Sequence, residues 1–435
     1  MLSPIVHHSL QLVSFIGCLG LLLNQPQRMH LLRILDGVLM CEGRKTLSAV
    51  LRQQVSRPDP KNGADFFRES PWDRVDMSHR RQQHLLRQML EIGHRLKLLR
   101  IIKVSVDDSL GKKGKATKHL DVVAHQHNHS ESRGKKQVYT NGYVYVAVHV
   151  HFGPFGFTFD LRLYLREATV RRLNRERQKR NPALPRVPYR SKYTLTHEML
   201  VELAALLPEG YQVYVLFDSW YASAKLINFC RRQGWHVICA LKSNRRIAKQ
   251  RVDKHDQLLK HTHYQRITLC ATHGTQVAPT YYVRTITGTL EKVKASVCVI
   301  ISRRHKGDKR PKYFACTDLT LAAQAALRLY QQRWPIEVDN LYLKEFLGLG
   351  DFRLQSYEAT AKWFAVVLLD LNFLQLQQAQ AYEQTHTAPA LADLIYQHRQ
   401  THLQALIRAV AEEAIRTGDV EQVLQQFIPP LHSLN

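Results

Sequence analysis

The chain of 435 residues carries 62 Lys and Arg against 36 Asp and Glu, a net charge of +26, and 45% of it is hydrophobic. Such a composition excludes a disordered chain, its length accommodates roughly two to four domains, and its charge attracts polyanions, nucleic acid first among them. Seven cysteines, an odd number with no CxxC pair, argue against a disulfide framework or zinc ribbon and for a reducing compartment. No apolar run reaches the roughly 18–20 residues of a membrane span. The nearest, residues 10–23, contains Gln11, Ser14 and two glycines, lacks a basic flank, and reads as a buried helix rather than a signal peptide.

Residues 1–99 read as a helical region. Residues 29–40 are apolar and periodic, Cys41-Glu42-Gly43 breaks the pattern, and residues 45–53 resume it, which suits a helix-turn-helix. Lys45, Ser48 and Arg52 then share one face. That face fits either base reading or plain solvation. Residues 56–63, rich in Pro, Asp and Gly, read as a linker, and residues 80–99 as a further helix.

After residue 100 the period changes to two. Residues 101–107, 142–152 and 155–165 are expected as strands, the last two joined by Gly153-Pro154. A helix over 194–207, a strand over 211–217, a helix over 221–232 and a strand over 235–241 complete the order β-β-β-α-β-α-β. Residues 242–316 then hold 17 Lys and Arg against 4 Asp and Glu, a net +13, and alternate short strands with basic turns. They are expected to form an inserted β-rich module. Helix resumes near Leu321, and residues 363–376 are apolar almost all round, as in a core helix. From residue 386 the chain has 3 Lys and Arg against 5 Asp and Glu. This helical tail suits packing or self-association better than DNA. Its apolar residues Leu391, Leu394, Ile395, Leu403, Leu406 and Ile407 fit an intramolecular core or a dimer contact.

In so basic a chain, acids at the ends of apolar strands stand out. Asp107 and Asp108 follow residues 101–106, and Asp218 follows residues 213–217. Strand ends of an α/β sheet gather ligands and metals, although Asp218 also suits a helix cap. Further on, Tyr330, Arg333, Glu337 and Lys344 recur at steps of 3, 4 and 7. At about 100° per residue they fall within an arc of about 60°, with Asp339 pointing away and Pro335 kinking the helix or starting a new one.

These residues resemble the DDE transposases of bacterial insertion sequences, in the insertion-sequence-four superfamily. That branch carries a signature of Tyr, two residues, Arg, three residues, Glu, six residues, Lys, which Tyr330, Arg333, Glu337 and Lys344 match without a gap. The segment Val106-Asp107-Asp108-Ser109, followed by Gly111-Lys112-Lys113-Gly114-Lys115, resembles the first catalytic block, and residues 215–221 resemble the second. The resemblance covers about residues 100–380. It implies an α/β fold with an RNase H-like core in two parts, 100–241 and 317–385, interrupted by the basic β-rich insertion 242–316 and flanked by the helical regions 1–99 and 386–435. Its catalytic and metal-binding roles map onto Asp108, Asp218 and Glu337. Asp108 is preferred to Asp107 because the family acid directly precedes Ser or Thr, and strand alternation lets only one of the two face the site.

The chemistry implied is phosphodiester cleavage at the element's ends and strand transfer into target DNA, with two Mg²⁺ or Mn²⁺ ions per site held by hard oxygen ligands. The partners implied are double-stranded DNA and, in a paired-end complex, a second copy of the chain, in a bacterial cytoplasm. Arg333 would grip phosphate, Tyr330 would donate to it, and Lys344 would neutralise the backbone nearby. Arg303 and Arg304, in the insertion, are further expected DNA contacts. Some relatives stack a flipped base on an insertion-domain Trp. Residues 242–316 contain none, with Tyr264, Tyr281 and Tyr282 as the available aromatics. Arg171, Arg172, Arg175, Arg177, Lys179 and Arg180 suit a phosphate track. His125, His127 and His129, like His261 and His263, alternate in a polar stretch with no Cys beside them, and metal binding there is the weaker reading. A nuclease without strand transfer and a silent DNA-binding descendant of a transposase are the competing functions.

Overall fold

The computed structural model describes residues 3–56, 58–117, 119–128, 131–132, 136–259, 263–271 and 277–427. Arg57, His129 and His261 lie outside the described residues.

Five helices open the chain: α1 Leu10–Cys18, α2 Gln25–Met40, α3 Leu47–Leu51, α4 Pro60–Arg68 and α5 Arg74–Arg95. The segment expected as a linker instead starts α4. The Asp59 side chain accepts from the Lys61 amide and Pro60 fills the first helical position, a helix start written in two residues. The second element of the expected helix-turn-helix is only the five-residue α3, laid flat on α2. A Cβ at Gly37 would come within 2.5 Å of the Val50 carbonyl oxygen, so the two backbones touch where only glycine fits.

The sheet follows: β1 Ile101–Lys112, β2 Ala124–His127, β3 Tyr139–Phe152 and β4 Phe155–Tyr164, then α6 Glu167–Arg180, α7 Lys192–Leu206, β5 Gln212–Phe217, α8 Ala224–Arg232 and β6 His236–Leu241. Beyond them come β7 Arg246–Ile247, β8 Gln250–Arg251, α9 Val252–Leu258, β9 Gln265–Thr268, β10 Thr280–Thr289, β11 Ser296–Arg303 and β12 Lys312–Cys316. The main sheet runs β2-β3-β1-β5-β6-β12-β11-β10-β9, with β4 on the free side of β3. β1, β5 and β6 are mutually parallel and the other pairs antiparallel. The strands of 242–316 therefore do not stand apart. β12 pairs with β6, and β11, β10 and β9 extend the core sheet outward.

The chain closes with α10 Ala323–Gln331, α11 Pro335–Leu341, a π-helical turn Tyr342–Phe346, α12 Tyr357–Thr385, α13 Leu391–Thr417 and α14 Val420–Phe427. α12 is long and apolar enough to cross a membrane, yet 89% of its apolar window is buried within the protein. It is the central core helix, packed against α5, β4, α2 and α13. Leu391, Leu394 and Ile395 of α13 join the main core, whereas Leu403 and Ile407 remain 40% and 67% exposed. Arg399 donates to the carbonyls of Leu39 and Cys41, satisfying orphan groups at the end of α2. Four of the six apolar tail residues are thus buried within the chain.

Candidate active site

The carboxylates meet where β5 ends. β1 does not stop at Asp107, as the sequence suggests, but runs on to Lys112 against β3. Its pairing with β5 does stop earlier, at Val106 opposite Phe217. Asp107 and Asp108 therefore lie in mid-strand with one edge opened, level with Asp218 on the turn after β5.

Alternation sends the two β1 acids to opposite faces. Val104, Val106, Val215 and Phe217 face the large core, while Leu216 and Tyr214 pack on the other face with Leu327 and Tyr330 of α10. Ser105 pairs with Leu216, so Asp107 shares the face of Tyr330 and α11. Arg333 donates to Asp107 Oδ2 at 3.1 Å and, through its other terminal nitrogen, to Glu337 Oε1. One guanidinium thus bridges Asp107 and Glu337. Asp108 faces the other way. Lys192 Nζ, at the start of α7, donates to its Oδ2 at 2.6 Å, and the Tyr221 hydroxyl to its Oδ1 at 2.9 Å. Asp218 Oδ1 accepts from the amides of Trp220 and Tyr221, which fixes the turn.

Burial pushes the Asp107 carboxyl up to about 6; Arg333 opposes the shift, and the charges of Asp108 and Asp218 add to it. Burial alone would weaken the Arg333 charge, but Asp107, Tyr330 and Glu337 outweigh it and hold the guanidinium above its ordinary value. Burial also raises the Tyr330 phenol to about 12, so it stays a neutral donor. Lys344 is pushed down by burial, although Glu345 and Asp107 partly restore it. Its Nζ donates to the Leu110 carbonyl at 2.9 Å.

Pro335 resolves the expected kink by beginning α11, and the π-helical turn then carries Lys344. The back of α11 is fastened by residues that the sequence does not mark as functional. Asp339 Oδ2 accepts from Thr158 Oγ1 at 2.5 Å and lies 2.6 Å from His149 Nδ1, while the Tyr145 hydroxyl donates to Asn340. Asp339 is 5% exposed. Replacing it with Ala strands two buried polar partners, and we expect a loss of about 3 kcal/mol in stability, measurable by urea unfolding. The hint was present in the sequence, in Asp339 pointing away from Glu337 and in a histidine inside an apolar strand.

Other expected contacts fare unevenly. Lys45 is buried, precedes α3, and donates from Nζ to the Gly43 carbonyl, which withdraws it from any DNA-reading face. Ser48 is half-buried on the five-residue α3, and Arg52, exposed, caps its end. Arg303 is likewise held inward, by Asp256 and the Asp308 carbonyl, whereas Arg304 is exposed. In α6, Arg171, Arg172 and Arg177 pair with Glu167, Glu176 and Glu358, while Arg175, Lys179 and Arg180 have no such pair among the described residues. The Arg284 guanidinium lies 3.7 Å from the Tyr264 ring centre. Tyr282 has Lys306 at 5.8 Å. Trp220, 39% exposed, sits beside Asp218, with Lys192 at 5.7 Å and Lys242 at 5.2 Å from its ring centre.

Over residues 15–268 the chain matches the family described as DDE superfamily endonuclease, and over residues 190–373 the family described as transposase DDE domain. No curated protein matches it. Among solved structures it is similar to a piggyBac transposase in a synaptic complex with hairpin DNA, at 10% identity and a TM-score of 0.41, covering 75% of this chain and 58% of that one.

Proposed function

The chain belongs to the DDE superfamily endonucleases, and from that premise we propose that it is a transposase of the bacterial insertion-sequence type, which cuts DNA at the ends of its own element and joins the 3′-hydroxyls to target DNA. The observation that carries this reading is the bridge from Asp107 through Arg333 to Glu337, beside Asp218, at the open end of β5. The order β4-β3-β1-β5-β6, with β5 and β6 parallel to β1, supports an RNase H-like core. The gapless spacing of Tyr330, Arg333, Glu337 and Lys344 supports the insertion-sequence-four branch.

Asp107, Asp218 and Glu337 are the proposed catalytic acids. The geometry favours Asp107 for the role that sequence comparison gave Asp108, because Asp107 shares the face and the cation of Glu337. Asp108, clasped by Lys192 and Tyr221, orders the neighbouring loop instead. The donor set fits Mg²⁺ or Mn²⁺: the groups are carboxylate oxygens, and their negative charge already draws one shared cation, Arg333. Bound there, two such ions would activate a water or 3′-hydroxyl and stabilise the leaving oxygen. Arg333 offers its planar fork to a phosphate as DNA enters, Tyr330 donates from a neutral phenol, and Lys344 is held against β1 where it offsets backbone charge.

Nicking of a duplex bearing the inverted repeats that flank the gene, with and without Mg²⁺, separates an enzyme from a silent DNA binder. Joining to a second duplex separates a transposase from a nuclease. The exposed basic turn after β11 should contribute to affinity. Changing Arg304, Lys306, Lys309 and Arg310 together to Ala is expected to flatten the slope of log K against log salt by about 2 to 4, and an unchanged slope would place the turn off the DNA.

A further inference from the structure

Apart from the carboxylates just described, α2 and α13 meet over a buried polar cluster that none of this chemistry uses. We propose that Asp36, His398 and His402 form a binding site for one divalent transition metal of the zinc class, which fastens the C-terminal helix α13 to the N-terminal helix α2. The site does not depend on the reading of the chain as a transposase.

His398 and His402 are four residues apart on α13 and so project side by side from one helix face. Asp36 faces them from α2. All three are buried, and their ligating atoms lie within 4.8 Å of one another. His398 Nε2 and His402 Nε2 each stand 3.2 Å from the same oxygen, Asp36 Oδ1. That is long for a charge-assisted hydrogen bond, typically about 2.7–2.9 Å. The His402 contact still counts as a hydrogen bond, and both distances also match the spacing of about 3.3 Å between ligands of a tetrahedral ion with bonds of about 2.0–2.1 Å. His8 Nδ1 lies 2.6 Å from the other oxygen, Oδ2, and so orients the carboxylate from outside, as second partners of metal ligands do.

Two residues point to a missing partner. His398 Nε2 is buried and, among the described residues, makes no hydrogen bond. Asp370 on α12 is completely buried, neither of its oxygens has a hydrogen-bond partner among the described residues, and it lies within electrostatic range of Asp36. A cavity of about 1080 Å³ between α1, α5, α12 and α13 has His398 in its wall and gives an ion a way in. Imidazole with carboxylate selects zinc and its neighbours, in contrast to the all-oxygen set of the active site.

The full chain, purified without a histidine tag and dialysed, should retain about one equivalent of zinc per chain by elemental analysis. Replacing the zinc with Co²⁺ should give the visible absorption of a low-symmetry site. Stripping with a zinc-selective chelator should lower the melting temperature by about 5 °C or more, reversed by Zn²⁺ but not by Mg²⁺. His402→Gln should abolish the Co²⁺ spectrum. Because that variant alone could simply fail to fold, the chelation shift on the unmodified chain decides. A metal-free chain with no Co²⁺ spectrum and an unchanged melting temperature in Zn²⁺ would overturn the proposal and leave the cluster as a histidine–carboxylate network.

Discussion

Replacing Glu337 with Gln or Asp218 with Asn is expected to lower the rate of DNA cleavage by on the order of 10³-fold or more, while DNA affinity stays within about two-fold. Both changes keep side-chain shape and remove only the charge. In Asp218→Asn the side chain retains an oxygen that can accept from the Trp220 and Tyr221 amides, so the turn after β5 should survive. In Glu337→Gln the remaining carbonyl oxygen can still accept from Arg333, and α11 stays anchored through Asp339 and Asn340. What disappears is anionic oxygen at the open end of β5. Single-turnover nicking and gel-shift assays on the same duplex read the two effects separately. Equal losses of cleavage and binding would mean that these residues shape the DNA surface rather than the chemistry.

Deleting residues 386–435 should unfold the protein. Leu391, Leu394 and Ile395 are each less than 9% exposed, and burying such side chains contributes about 1.5–3 kcal/mol apiece, or about 5–9 kcal/mol together. Arg399, which caps the end of α2, is lost with them. Against a typical total stability of about 5–15 kcal/mol, the truncated chain should show no cooperative melting transition by circular dichroism. A truncation that melts like the full chain would show that the tail adds nothing to the core. A role in pairing two DNA ends is better tested at Leu403 and Ile407, which lie exposed on α13. Changing both to Lys should leave melting unchanged and, if a second copy docks there, prevent pairing of two ends by light scattering.

Much of this architecture was legible in the sequence. The period of two gave β1 and the β3–β4 hairpin, the apolar runs gave β5 and β6, and the all-round apolar pattern gave α12. Local signals were weaker where tertiary contacts decide. Lys45 looks like a surface base because its neighbours are polar, yet it is buried against the loop of Gly348 and Asp351. Residues 242–316 read as an inserted β-rich module, whereas the pairing of β12 with β6 depends on backbone groups that composition does not report. In the site, the spacing of Tyr330, Arg333 and Glu337 spans the break between α10 and α11, across which Arg333 donates to Glu337. The choice between Asp107 and Asp108 turned on which face of β1 meets α11, which only the pairing of β1 with β5 reveals. Asp36, His398 and His402 could not be read as a cluster at all, since more than 350 residues separate Asp36 from the two histidines.

The central claim is that Asp107, on the α11 face of β1, acts with Asp218 and Glu337 in metal-dependent cleavage. The most direct test compares Asp107→Asn with Asp108→Asn in Mg²⁺-dependent single-turnover nicking of an end-bearing duplex, both variants first shown to bind that duplex like the unmodified chain. Asp107→Asn should be inactive, with Asp108→Asn reduced by about ten-fold at most, in keeping with a positioning effect. An active Asp107→Asn beside an inactive Asp108→Asn would contradict the account and move the site to the opposite face of the sheet.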